Sequence, residues 1–163
     1  MKSWWKFLWK LKAPLRTRLL MWSILQNKIP TGTYLRKRAF TGPTWCLLFH
    51  QEEELTQHLF LTCPITKSIW TQVLTTLNMN KSWHGADLQI AWETWWGEAS
   101  EPKKRNFPLL VSWHIWLKRN LIIFQDKPVI WNLVPPKICS AYEELGAEEN
   151  TNRPRIITQE QID

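Results

Sequence analysis

Apolar residues recur along most of this chain at every third or fourth position, which is the spacing of amphipathic helices. Stretches that contain proline and glycine, such as Thr41-Gly42-Pro43, separate the apolar runs and predict the turns between them. The pattern predicts helices over residues 3–10, 14–27, 32–39, 57–63, 64–78, 86–96, 107–125 and 136–146. The predicted fold class is therefore all-α, a small irregular helical domain.

Five of the predicted helices have apolar stripes that indicate which face is buried. In the helix at 3–10 the stripe consists of Trp5, Leu8 and Trp9, and in the helix at 64–78 it consists of Ile65, Ile69, Trp70, Val73 and Leu77. In the helix at 14–27 the stripe consists of Leu15, Leu19, Trp22 and Leu25. In the helix at 86–96 it consists of Leu88, Ala91, Trp92 and Trp95. In the longest helix it consists of Leu110, Trp113, Leu117, Leu121 and Phe124, so that Lys118 and Arg119 are expected to face solvent.

The same pattern divides the chain into four parts. Residues 4–78 form one predicted module, and residues 79–105 form a linker with a short helix, because the polar stretch 97–105 contains Pro102. Residues 106–146 form a C-terminal helical extension. Residues 147–163 have no apolar periodicity and are predicted to be a disordered tail.

The composition favours helices that pack through large aromatic side chains, since the 163 residues include 13 tryptophans and only 5 glycines. The net charge of +7 is distributed unevenly. Residues 1–51 contain ten Lys or Arg and no Asp or Glu, and the other 112 residues contain eleven basic and fourteen acidic ones. A basic head of +10 and an acidic body of −3 indicate a polyanionic partner.

The cysteine count argues against secretion, because three cysteines in a chain of this length are not a disulfide framework. The first 22 residues carry Lys or Arg at six positions, so no apolar core of a signal peptide is present. No apolar run reaches the length of a membrane-spanning helix. We expect an intracellular protein, nuclear or cytoplasmic, without a membrane partner.

Two cysteines and two histidines fall within the eighteen positions from Cys46 to Cys63. His58 and Cys63 have the spacing H-x4-C, and an imidazole and a thiolate are ligand types of structural zinc. A four-ligand version would have a second cysteine at position 49, where this chain has Phe49. His50 is the candidate for the fourth ligand. The alternative interpretation is a decayed site in which the cysteines are packed thiols, and three-ligand sites with an open position also exist.

The residues around this stretch resemble the zinc-binding domain of plant LINE-type (non-LTR) retrotransposon reverse transcriptases. The matching residues are Cys46, Glu53-Glu54, Thr56, His58-Leu59-Phe60, Cys63-Pro64 and Trp70. Weaker similarity includes Trp5, Leu8-Trp9, Pro14, Leu20, Trp22, Leu25, Pro30-Thr31 and Leu35 upstream, and Trp116-Leu117-Lys118-Arg119-Asn120 with Phe124 downstream. The resemblance covers roughly residues 4–125 and implies an accessory module that follows the polymerase. In that family a cysteine occupies the position of Phe49.

The basic head supplies the candidate nucleic-acid contacts. We expect Arg16, Arg18, Arg36, Lys37 and Arg38 to contact phosphates of RNA or single-stranded DNA without sequence preference. The alternatives are a solvated basic face, a membrane surface or an acidic partner helix.

The predicted function is an accessory nucleic-acid-binding zinc module without catalytic activity, because no phosphate-binding loop or nucleophile motif is present. The alternative is a helical relic or interaction scaffold that binds neither metal nor nucleic acid.

Overall fold

The structure, a computed structural model, describes residues 4–151 of the chain. In this range it confirms the all-α fold class, and the one β-type pairing is an isolated antiparallel bridge between Trp45 and Glu53. The helices are α1 (Trp4–Lys10), α2 (Leu15–Leu25), α3 (Gly32–Arg36), α4 (Pro64–Thr76), α5 (Leu88–Glu98), α6 (Pro102–Arg105), α7 (Phe107–Gln125) and α8 (Val134–Thr151). A π-helical turn at His58–Thr62 precedes α4, and a 3-10 turn at Trp131–Leu133 precedes α8.

Local sequence explains where several helices begin. The Asp87 carboxylate accepts a hydrogen bond from the backbone N–H of Ile90 at 2.8 Å, which caps α5. The Thr31 hydroxyl accepts one from Tyr34 at 3.3 Å and caps α3. Pro64 occupies the first turn of α4, where a missing backbone N–H costs nothing.

The core is richest in aromatic rings where α4, α5 and the start of α7 meet. The rings of Trp70 and Trp83 stack with centroids 5.0 Å apart, and those of Trp95 and Phe107 stack at 5.9 Å. The four residues predicted as the buried face of α5 are all buried: Leu88, Ala91, Trp92 and Trp95. We refer to the rings of Trp70, Trp83, Trp95 and Phe107 as the aromatic cluster.

The predicted buried stripe of α2 is wrong for its first half. Leu15 and Leu19 are exposed, and the buried side chains are Thr17, Leu20, Met21, Ile24 and Leu25. Residues 19–22 are all apolar, so hydrophobic periodicity does not choose between the faces of this helix. Packing against α7 decides which face is buried.

The stripe predicted for α7 is also wrong. Leu117 and Phe124 are exposed, and the buried face consists of Phe107, Pro108, Leu109, Val111, Ser112, Ile115 and Arg119. Arg119, expected to face solvent, is only 2% exposed. The helix is rotated relative to the prediction because the arginine has an acidic partner inside the protein, which is described below.

The segments predicted as a linker and a tail contain more helix than expected. Residues 102–105 form α6, and the backbone carbonyl of Lys104 accepts a hydrogen bond from the Trp95 indole at 2.8 Å. Pro135 and Pro136 lie in the first turn of α8, which continues through Thr151. The rest of the predicted tail, 152–163, lies outside the described residues.

The predicted module and the predicted C-terminal extension share one hydrophobic core. Helix α7 packs on α2, and α8 packs on α4, so buried side chains of both parts belong to the same cluster. Among the described residues, no helix has the combination of length and apolar character that a bilayer crossing requires.

Candidate metal centre

A hairpin formed by residues 44–54 positions the first cysteine. The backbone N–H of Cys46 donates to the carbonyl of Glu52 at 2.6 Å, and the N–H of Glu54 donates to Thr44 at 2.7 Å. The hairpin reverses at His50, whose φ of 61° lies in the left-handed region and whose N–H donates to the Cys46 carbonyl at 2.7 Å. The loop therefore returns toward the core with the Cys46 side chain fully buried.

The π-helical turn at His58–Thr62 positions the other two candidate ligands. In a π turn the N–H of one residue bonds to the carbonyl five residues earlier, and here Cys63 donates to His58 at 2.7 Å. In an α-helix, residues five apart point in different directions, since each residue advances by about 100°. The wider turn aligns His58 with Cys63 on one side. With the H-x4-C spacing, the π turn therefore places both side chains toward the same site.

The side chains of Cys46, His58 and Cys63 converge in the interior. The two sulfur atoms are 4.0 Å apart, and one ligand atom from each residue lies within 4.8 Å of the others. Two thiolates on a tetrahedral zinc ion are separated by roughly 3.8 Å, given Zn–S bonds of about 2.3 Å. The three residues, which we call the Cys–His–Cys group, therefore have the spacing and the donor types that a metal ion requires.

The imidazole of His58 is buried, and neither ring nitrogen has a hydrogen-bond partner. The Nδ1 atom lies 2.9 Å from the Glu52 carboxylate, which is an ion-pair distance, but the contact lacks the alignment of a hydrogen bond. Buried polar atoms without partners are costly and rare in proteins. A metal ion on Nε2, with Glu52 orienting Nδ1, would satisfy both nitrogens, and this arrangement is common for metal-binding histidines.

The two thiols have opposite pKa shifts. The hydrogen bond from Cys46 lowers the pKa of Cys63 to about 6, with further help from the backbone N–H groups of Ile65 and Thr66 at the start of α4. The pKa of Cys46 is raised, first because its thiol donates that hydrogen bond and second because it is buried. The opposite shifts favour a thiolate on Cys63 over one on Cys46. A bound metal would displace the remaining proton, because metals bind thiolates.

The structure does not bring His50, the fourth ligand expected from the sequence, into the Cys–His–Cys group. His50 is exposed at the tip of the hairpin. Phe49 is partly buried and packs against the core. The described residues thus place three of the four predicted ligands together.

A buried ion pair that the sequence did not predict joins the hairpin to α7. Glu54 and Arg119 are 1% and 2% exposed. The Arg119 guanidinium donates to both carboxylate oxygens of Glu54, at 2.6 and 3.1 Å, and the N–H of Gly32 donates to the same carboxylate at 2.7 Å. A buried ion pair needs such additional hydrogen bonds to offset desolvation. The one available signal was the similarity of both regions to the same family.

The five predicted nucleic-acid contacts fall into two groups. Arg16 and Arg18, on α2, lie over the rings of Trp113 at 5.3 Å and Trp9 at 5.9 Å. The basic triplet, Arg36-Lys37-Arg38, is exposed at the end of α3.

None of the five basic residues pairs with a carboxylate in the described part of the chain, which leaves their charge free for a ligand. Within the triplet, the Arg38 guanidinium lies 4.6 Å from the ring centre of Tyr34. All three residues of the triplet are exposed, whereas Arg18 is partly buried. The triplet is therefore the more accessible of the two groups.

The fold and the Cys–His–Cys group together describe a helical module with a site that can hold a metal ion. Residues 1–70, rather less than half of the chain, match the family model described as zinc-binding in reverse transcriptase. The match contains Cys46, His58 and Cys63, and it confirms the resemblance to this family over that segment. No curated protein and no solved structure matches the chain.

Proposed function

We propose that this chain is an accessory zinc module derived from a retrotransposon reverse transcriptase, that it binds nucleic acid without sequence preference, and that it has no catalytic activity of its own. The observation that supports the metal part is the convergence of three buried donors within 4.8 Å, one of them an imidazole without a hydrogen bond. Two thiolates and one imidazole favour zinc over oxygen-preferring metals.

The zinc ion would have a structural role. Cys46 belongs to the hairpin, whereas His58 and Cys63 belong to the π turn and the start of α4. One ion bound to all three would link these two segments. Structural zinc contributes directly to folding free energy, so we expect the hairpin to depend on the metal more than the helices do.

The fourth position has two candidates. His50 is four residues from Cys46 in a tight reversal, and a change of the hairpin tip would be needed to turn its exposed ring inward. Otherwise a water molecule completes the coordination. On the sequence spacing, His50 is the proposed fourth ligand, and the variant His50→Ala distinguishes it from water.

The metal proposal is tested by zinc content and zinc affinity of the purified chain. We expect one equivalent of zinc by inductively coupled plasma mass spectrometry, and loss of this zinc in Cys63→Ser. Cys139→Ser is the matched control, because Cys139 is a buried thiol on α8 outside the group. His50→Ala loses zinc if His50 is the fourth ligand and retains it if water is. Absence of zinc from the unmodified chain after refolding with the metal would contradict the proposal.

The nucleic-acid part rests on the charge distribution. Ten cations and no anions lie in residues 1–51, and the exposed basic triplet pairs with no carboxylate among the residues that the structure describes. Phosphate contacts of this kind depend strongly on salt and weakly on sequence. The five residues we propose for these contacts are Arg16, Arg18, Arg36, Lys37 and Arg38.

The binding test compares two triple variants of equal charge. We expect labelled single-stranded RNA or DNA to bind with strong salt dependence, and the alanine variant of residues 36–38 to bind at least tenfold more weakly at equal salt. The control replaces Lys6, Lys10 and Lys12, which are also exposed in the basic head, by alanine. If both variants lose the same affinity for nucleic acid, the loss comes from the lower net charge and not from the position of the basic triplet. No binding by the unmodified chain would favour a helical relic or scaffold instead.

A further inference from the structure

A groove of about 520 Å³ lies between α3, the hairpin and the last turns of α7. Four aromatic side chains line it, of which Trp116 is partly buried and the other three, from three separate segments, are exposed: Phe40, Trp45 and Phe124. They are 61%, 53% and 75% exposed, respectively, which is unusual for side chains of this size. Together they form an exposed aromatic surface around one opening.

The basic triplet stands at the edge of this groove. Leu35, directly before the triplet, and Phe40, two residues after it, both line the groove. The N–H of Phe40 donates to the carbonyl of Leu35 at 3.1 Å and closes a turn, so the chain between them protrudes. Three cations without acidic partners and three aromatic rings therefore lie next to each other on the surface.

The polar floor of the groove carries no net charge. Glu54, the acidic residue that lines the groove, is neutralised by Arg119. The Asn120 carboxamide lies beside this pair, and its oxygen accepts from Arg119 at 3.1 Å. Its Nδ2 amino group has no hydrogen bond among the described residues. A free amide donor can bond to base oxygens or nitrogens, and the neutral floor does not repel phosphate.

We propose that this groove stacks bases of a single-stranded nucleic acid while the phosphates lie along Arg36, Lys37 and Arg38. This inference rests on the proposed nucleic-acid binding and assigns its site. Binding of single strands without sequence preference combines a positively charged track with aromatic rings that stack on bases. A protein segment would fill an apolar groove as well, but the unpaired cations at the edge favour a polyanion.

The experiment separates stacking from phosphate binding by using two oligonucleotides of equal length. One is oligo-dT, and the other is an abasic phosphodiester strand that has the charge without the bases. Both are titrated against the full, zinc-loaded chain and against Trp45→Leu and Phe124→Leu, which keep an apolar side chain and remove the aromatic ring. Trp5→Leu is the matched control, because Trp5 is also an exposed aromatic residue but lies on α1 outside the groove.

We expect each groove variant to bind oligo-dT about tenfold more weakly, the effect of one lost base–aromatic stack. The same variants should bind the abasic strand as the unmodified chain does, and Trp5→Leu should change neither affinity. Circular dichroism and zinc content are expected to remain unchanged in all three variants, since the substituted side chains are exposed.

Three results would overturn the inference. If oligo-dT and the abasic strand bind equally and the leucine variants have no effect, phosphate binding stands and the stacking groove does not. If neither strand binds, the proposed nucleic-acid function itself fails. If neither strand binds and the chain self-associates in sedimentation unless Phe124 is replaced, the groove is an interface between copies of the chain.

Discussion

The aromatic cluster and the Cys–His–Cys group are stabilised in different ways. The buried rings of Trp70, Trp83, Trp95 and Phe107 pack against one another, and the Trp70 indole N–H is the one polar atom of these rings without a hydrogen-bond partner among the described residues. The Cys–His–Cys group is equally buried, yet neither nitrogen of its imidazole has a hydrogen-bond partner, and its two sulfur atoms lie 4.0 Å apart. An apolar cluster is complete when it excludes water. A polar cluster is complete only when every donor and acceptor has a partner.

This comparison implies that a zinc chelator should weaken one region and leave the other unchanged. Each of the following variants is therefore measured by urea unfolding twice, with zinc and with a chelator. If a substitution changes the free energy of unfolding by the same amount with zinc and with chelator, its site is independent of the metal, as we expect for the aromatic cluster. If the change depends on zinc, its site is coupled to the hairpin.

The largest effect is expected for Trp95→Ala. This fully buried indole contacts three rings of the core and donates a hydrogen bond to the Lys104 carbonyl. Its removal should lower the free energy of unfolding by about 4–5 kcal/mol, equally with zinc and with chelator. Trp5→Ala, which truncates a partly exposed indole, should cost much less. A Trp95 effect that disappears on chelation would show that the two regions are not separate.

The second effect concerns the ion pair between the regions. Arg119→Met removes the counter-charge of Glu54, whose carboxylate would remain buried, and should cost about 3 kcal/mol in zinc. With chelator the hairpin is looser and Glu54 can reach water, so the cost should fall. The double variant Glu54→Leu/Arg119→Met should recover most of the loss, because no unpaired charge remains. Glu53→Gln is the control, as Glu53 is exposed beside it. An equal cost in both conditions would contradict this coupling.

The smallest effect is expected for Gly32→Ala. A Cβ at Gly32 would collide with the Pro43 carbonyl, so the hairpin backbone would have to move away from α3. We expect a loss of about 2 kcal/mol in zinc and a weaker zinc affinity, measured by chelator competition. Gly97→Ala is the matched control, since Gly97 lies in α5 with nothing within 4 Å of an added Cβ. That change should stabilise by about 0.5–1 kcal/mol. Unchanged zinc affinity in Gly32→Ala would show that the packing of α3 against the hairpin does not affect zinc binding.

Periodicity located the helices well and their buried faces unevenly. The stripe of α5 is correct at all four positions, from Leu88 to Trp95, although the apolar residue Ile90 on the same helix is exposed. The stripes of α2 and α7 are wrong in part, because both helices carry more apolar side chains than their buried faces use, and these are exposed: Leu15, Leu19, Leu117 and Phe124. Neighbouring helices make that choice, and local sequence does not contain it.

The amino-acid order was enough to indicate an all-helical chain, the candidate pair His58 and Cys63 and the similarity to a zinc module, since these depend on spacing along the chain. A five-residue π turn brings the histidine and the cysteine of the H-x4-C spacing to the same side of the chain. The pairing of Glu54 with Arg119 joins positions 65 residues apart, and the aromatic groove collects three separate segments. These features arise only when helices pack, because packing decides which distant charges and rings share the same interior or opening.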